Sequence, residues 1–200
     1  MIYIQDDRLT EREKAVREEM VNIFNPALKL CLDTANHDEF AKFQFNCCRQ
    51  TAIMGAGTLS MLLPDYRLQV FTAEFDDEIM NSPVHYLHAF ITAKGKEHRI
   101  LIDLSRTTRP LLFTVITDDR MYPMTDGYEK ISRIYDYKDI DWKYWLTRGL
   151  VEYLTGWTPA MLFASVQNAM QQIRVMKPDE QSKFVKNIYD KFTDIGGIFS

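Results

Sequence analysis

The chain has few cysteines and no long apolar run, which argues against a disulfide-stabilised protein and against a membrane-spanning helix. Its 200 residues include three cysteines, Cys31, Cys47 and Cys48, two of which are adjacent. An odd number at this spacing does not form a disulfide framework, so we expect a reducing, cytoplasmic setting. The longest apolar runs, such as "RPLLFTVIT", are far too short to span a bilayer. The N-terminus lacks the layout of a secretory signal, so an exported effector would have to leave by a non-classical route.

The chain also lacks an excess of basic residues, a phosphate-binding loop and the spacing of a zinc site. Lys and Arg number 24 against 28 Asp and Glu, for a net charge of −4, which disfavours nucleic acid as a partner. The stretch "GAG" at Gly55 lies inside a predicted helix and follows no strand, so it is not a phosphate-binding loop and no nucleotide cofactor is expected. Cys47 and Cys48 lack the Cys-x₂-Cys spacing that lets two thiolates reach one metal, and we expect no metal.

Neither a repeat nor a low-complexity linker divides the sequence, which predicts one domain over residues 1–200. Helical patterns occupy 1–44 and 139–195, and a mixed pattern occupies 45–120. The expected fold class is therefore α+β: an antiparallel sheet packed against one helix of the core, with further helices at both ends of the chain.

Capping residues mark the predicted helices. Thr10 with Glu13 forms a capping box, and Asn25-Pro26 is typical of a second helix start. The segment "CCRQTAIMGAGTLSMLL" has helical periodicity and is stopped by Pro64. Thr158-Pro159 and Pro178 open two later helices. A stripe of Trp and Tyr between 142 and 156 is typical of core packing.

Alternating segments predict the strands, and the most informative is "HYLHAFITAKGKEHRILIDLS", from 85 to 105. It reads as a β-hairpin with Gly95-Lys96 as a two-residue turn, so that Lys94 faces Glu97. In that register His88 faces Asp103 on the same side of the sheet. The carboxylate can then accept a hydrogen bond from the imidazole, fix its tautomer and favour the imidazolium. The alternative is that His88 and Asp103 form a buried pair whose role is only to stabilise the hairpin.

The other histidines are weaker candidates. His85 lies three residues before His88, so the alternation of side chains along a strand places it on the opposite face, across from Arg106. His37 and His98 have no acidic partner that the sequence reveals.

A histidine held by an aspartate usually serves a nucleophile, and the start of the helix ending near Leu63 offers one. Cys48 stands four residues before Ala52 on the apolar face of that helix, which predicts a sulfur at the seam between helix and sheet, within reach of His88. The helix start and the neighbouring Arg49 favour a thiolate. Cys47 is the second candidate, and the alternative role for either is that of a small buried hydrophobe.

These residues resemble a family, the transglutaminase-like, papain-fold thiol enzymes. "CRQTA" at Cys48 is similar to the family's Cys-Arg-x-x-Ala helix start, "HAF" at His88 to its His-Ala-aromatic strand, and "LIDLS" around Asp103 to its Asp strand. The resemblance covers about a third of the chain, from 45 to 109. Arylamine N-acetyltransferases share this triad order, but the Arg-Gly-Gly that precedes their cysteine is replaced here by "FQFN".

The resemblance implies acyl transfer through a Cys48 thioester, with His88 moving protons and Asp103 orienting it. The enzyme would be an amide or peptide hydrolase (a thiol protease), a deamidase or a transglutaminase-like acyltransferase acting on a protein or peptide. The Cys48 N–H with Gln44 or Asn46 would hold the oxyanion. The choice between hydrolase and transferase, and the oligomeric state, stay open.

The second functional hypothesis is a non-catalytic protein-interaction module on the same fold. Acidic stretches at 76–78 and 118–119 lie next to predicted strands; we expect solvated loops there that could select a basic substrate segment.

Overall fold

The computed structural model describes residues 5–35, 48–79, 82–105, 111–116, 128–141 and 158–197, and it has the predicted α+β fold. The helices are α1 (Glu11–Glu19), α2 (Asn25–Ala35), α3 (Cys48–Leu62), α4 (Pro159–Arg174) and α5 (Pro178–Gly197). The strands are β1 (Arg67–Ile79), β2 (Ser82–Lys94), β3 (Arg99–Asp103), β4 (Leu112–Ile116) and β5 (Tyr128–Asp136). They form one sheet in the order β4-β3-β2-β1-β5, with every neighbouring pair antiparallel.

The first helical region is continuous, which corrects one prediction. The Thr10 capping box is confirmed, since the Thr10 side chain accepts from the Glu13 N–H and Glu13 accepts from the Thr10 N–H at 2.7 Å. Asn25, however, is not an N-cap: it is helical, and its N–H donates to the Met20 carbonyl across a π-helical turn, Met20–Phe24. Pro26 has no N–H and crowds the preceding turn, so a wider turn ahead of it lets the helix continue.

Helix α3 packs on β1 and β2, as expected for the helix that bears the cysteine. Its buried residues join those of one sheet face in the main core: Ala52, Ala56, Leu59, Ala89, Ile91, Ile100 and Ile102. The approach is close at Gly55, where a Cβ would lie 3.0 Å from Ile91 Cδ1. A second cluster, with Phe71, Ala73, Phe90, Leu101 and Leu112, covers the other face.

We expect Gly55→Ala to be less stable than Gly57→Ala by about 1–2 kcal/mol, as measured by urea unfolding. Both variants gain the helix propensity of alanine, about 1 kcal/mol. At position 55 the new methyl meets a packed core side chain, whereas at position 57 it meets the hydroxyl of half-buried Tyr137, which can rotate away. Equal stability of the two variants would contradict close packing at Gly55.

The β2–β3 register differs from the predicted one by two residues. Lys94 pairs with Arg99 and Ile91 with Ile102, so the loop holds four residues instead of two. The φ of Gly95 lies outside the left-handed region that the predicted turn requires. Gly95 is needed for another reason: a Cβ there would lie 2.7 Å from the ring of Tyr66.

The longer loop brings His98 to a partner that sequence reasoning missed. His98 Nε2 lies 2.8 Å from Glu13 Oε1, and the Tyr66 hydroxyl donates to the same oxygen at 2.7 Å. Glu13 is fully buried, and its pKa is lowered because hydrogen bonds from Tyr66 and Thr10, with the charge of His98, outweigh its burial. These contacts hold the loop against α1 in the observed register.

Two further elements depart from expectation. Strand β5 lies in a stretch to which the sequence assigned no structure, and the acidic residues 76–78 belong to β1 rather than to a loop. The Trp and Tyr stripe, His37 and residues 118–119 fall outside the described residues. In the part of the chain that the structure describes, no helix is both long and apolar enough to cross a membrane.

Candidate active site

The predicted contact between His88 and Asp103 is present. His88 Nε2 lies 2.8 Å from Asp103 Oδ2. The residues are diagonal neighbours rather than directly opposite, since the observed register puts Asp103 level with Phe90. A displacement of two residues keeps both side chains on the same face, whereas a displacement of one would have separated them.

Cys48 is the first residue of α3, and it contributes a hydrogen bond to His88. The prediction that Cys48 and His88 meet between the helix and the sheet is only partly right. Helix α3 packs over Ala89 and Ile91 of β2, and side chains along a strand point alternately to the two faces of the sheet. Alternation therefore assigns His88 to the other sheet face, with Phe90. Cys48 meets His88 from the very start of the helix, where backbone N–H groups have no acceptor within the helix.

All three side chains are withdrawn from solvent: Cys48 and His88 are 5% exposed and Asp103 is 1% exposed. Burial alone would lower the pKa of His88, but the charge and hydrogen bond of Asp103, followed by the hydrogen bond and charge of Cys48, raise it to about 10. His88 is therefore an imidazolium at neutral pH. A cation next to a cysteine stabilises the thiolate, the reactive form of that side chain.

Ser105 is a further hydrogen-bond partner of Asp103, and sequence reasoning gave it no role. Its Oγ donates to Asp103 Oδ1 at 2.9 Å and its backbone N–H donates to the same oxygen at 3.2 Å. The Oγ also lies 3.5 Å from His88 Nε2. The signal was an Asp followed two residues later by Ser directly after a strand, since Asp side chains commonly accept from the backbone two residues on.

Cys31 shows what burial does to a thiol without such a neighbour. It is 6% exposed, about as buried as Cys48, and it packs in the main core. Burial raises its pKa to about 11, which leaves it protonated and unreactive at neutral pH. The two cysteines are therefore matched in exposure and differ in their contact with His88.

Gln44, Asn46 and Cys47 lie outside the described residues, and His85 lies in β2, where its backbone pairs with that of Asp76 in β1. Among the described residues, no group of three or more His, Cys, Asp or Glu side chains is arranged to hold a metal ion.

Comparison with known proteins gives no match, whether with a protein-family model, a curated protein or a solved structure. The resemblance to the transglutaminase-like enzymes therefore stays a prediction from three short sequence motifs.

Proposed function

We propose that the protein is a thiol enzyme that transfers acyl groups through a thioester on Cys48. The observation that carries the proposal is the chain of contacts from Cys48, at the start of α3, to His88 on β2 and Asp103 on β3, all three of them buried. A nucleophile, a base within hydrogen-bonding reach and a third group that orients the base form the arrangement that covalent acyl transfer requires. The motifs around these residues support the same reaction class.

In the proposed reaction, His88 holds its charge beside the Cys48 thiolate. The thiolate attacks the carbonyl carbon of an amide or ester, and the oxyanion is stabilised by N–H groups at the start of α3. His88 then gives a proton to the leaving amine or alcohol as its bond to the carbonyl carbon breaks. With Nε2 directed at Asp103, Nδ1 is the nitrogen that would exchange this proton.

The second half of the reaction returns the enzyme to its starting state. Neutral His88 takes a proton from water or from an acceptor amine, which attacks the thioester and releases Cys48 as the thiolate. Asp103 keeps its negative charge throughout and stabilises the imidazolium whenever it forms. A protein or peptide amide, such as a glutamine side chain, is the proposed substrate class, and the acceptor determines whether the reaction is hydrolysis or transfer.

The test is acylation of the full-length protein by p-nitrophenyl acetate. We expect a burst of p-nitrophenol equal to the amount of protein, with an acetyl group on the Cys48 peptide that hydroxylamine removes. Cys48→Ala should abolish the burst, while Cys31→Ala, the control with similar burial, should retain it. Cys47→Ala distinguishes the two adjacent candidates. A folded protein that shows no burst, or one acylated at another cysteine, would overturn the proposal and favour the interaction module.

A further inference from the structure

Two separate donors from one residue fix the Asp103 carboxylate. Ser105 gives Oδ1 both its backbone N–H and its hydroxyl, at 3.2 and 2.9 Å. With Oδ1 held in this way, Oδ2 is left facing His88 Nε2 at 2.8 Å. The last residue pair that β2 and β3 share is Ile91 with Ile102, and Asp103 is the next residue of β3. The hydrogen bonds from Ser105 therefore hold the carboxylate just beyond the end of the β2–β3 pairing.

The Ser105 hydroxyl also lies close to the His88 imidazole. Because the Ser105 proton points to Asp103, an Oγ lone pair is available to face His88, 3.5 Å from Nε2. The Nε2 proton therefore has two acceptors on its side of the ring, one strong and one weak. Both favour keeping that proton on Nε2, which leaves the proton exchange of the proposed reaction to Nδ1.

We infer that Ser105 is a positioning residue, which acts through Asp103 to hold the His88 ring and to keep its proton on Nε2. The inference deepens the proposed acyl transfer and depends on it for its catalytic meaning. Ser105 does not touch the reacting atoms in this role, and its hydroxyl is the group that does the positioning. The backbone N–H bond to Oδ1 persists whatever side chain stands at position 105.

The test compares Ser105→Thr with Ser105→Val, two side chains of nearly equal shape of which only threonine has the hydroxyl. We expect Ser105→Val and Ser105→Ala to slow Cys48 acylation by p-nitrophenyl acetate by about 3–10-fold, the effect of one hydrogen bond. Ser105→Thr should restore most of the rate. The pH profile should change as well, because a His88 that Asp103 holds less firmly loses its proton at lower pH in the variants without the hydroxyl.

A second readout does not depend on acylation. In ¹H–¹⁵N spectra of the imidazoles, the Nε2–H of His88 should exchange with solvent faster in Ser105→Val than in Ser105→Thr, at matched stability to urea. Equal exchange and equal acylation rates in that pair would overturn the role of Ser105. If the wild-type protein is not acylated at Cys48, the proposed function fails, and the exchange rates still decide whether Ser105 positions His88.

Discussion

Replacing His88 with glutamine is expected to slow alkylation of Cys48 by iodoacetamide by on the order of 100-fold near neutral pH. Glutamine retains a polar side chain of similar length but carries no charge, so Cys48 loses the cation that favours its thiolate. Cys31, which has similar burial, is the reference for slow alkylation. The measurement is the rate of modification of each cysteine peptide by mass spectrometry as a function of pH.

The pH dependence gives this prediction its sharpest control. Because the pKa of His88 is raised to about 10, the wild-type imidazolium persists through the neutral range. The difference between wild type and His88→Gln should therefore be large at neutral pH and shrink as the pH approaches 10. Cys31 should react equally slowly in both proteins. Equal rates for Cys48 in the two folded proteins would show that His88 does not activate it.

The contact between His88 and Asp103 could be predicted because it depends only on which face of the sheet each side chain occupies. Side chains along a strand alternate between the two faces, so this assignment tolerates some errors in register. Any even displacement of β3 along β2 keeps the two residues on one face, so an error of two residues in the register did not remove the contact. The predicted hairpin turn was enough to put both residues on the same face, although its register was wrong by two residues.

The register itself could not be predicted, because it is fixed by contacts from distant parts of the chain. Gly95 has the sequence signature of a tight turn, yet its lack of a side chain serves the approach of Tyr66. The four-residue loop places His98 on Glu13, 85 residues away along the chain. A rule that predicts turns from neighbouring residues cannot take either of these long-range contacts into account.

Strand β5 was missed because bulges change its period. Phe75, Ala73 and Phe71 of β1, spaced by two, pair with Tyr128, Ile131 and Ile134 of β5, which are spaced by three. Register shifts between these pairs account for the additional residues. The apolar residues of β5 therefore recur every third position, a spacing closer to a helix than to a strand, although their partners alternate regularly.

The orientation of α3 shows a similar limit. Periodicity correctly put Cys48, Ala52 and Ala56 together in the core, but it could not say which face of the sheet the helix covers. That face is the one of Ala89 and Ile91, and Cys48 meets His88 from the first turn alone. Sequence spacing thus identified the participants, and only the three-dimensional arrangement shows how they approach one another.

The largest effect on stability is expected at Asp103, whose replacement by alanine should cost about 3–5 kcal/mol of unfolding free energy. The carboxylate is 1% exposed and it faces His88, which is 5% exposed, so its removal takes away the main negative charge beside a buried cation. Asp103→Asn should cost less, because the amide keeps the shape of the side chain and one oxygen acceptor. Urea unfolding of the two variants beside wild type measures both costs.

The sign of the pH dependence follows from the raised pKa of His88. Folding favours the protonated imidazole, so this contribution to stability is fully present below the ordinary value of 6.5 and is lost as the pH rises toward about 10. The stability difference between wild type and Asp103→Asn should therefore shrink over that interval. In a double-mutant cycle, His88→Gln with Asp103→Asn should cost less than the sum of the single changes, since each single variant leaves one buried charge without its partner and the double variant has neither charge. Additive costs that do not vary with pH would mean that the two residues are close but have no charge interaction. The imidazolium that the proposed reaction requires would then lack the support of Asp103.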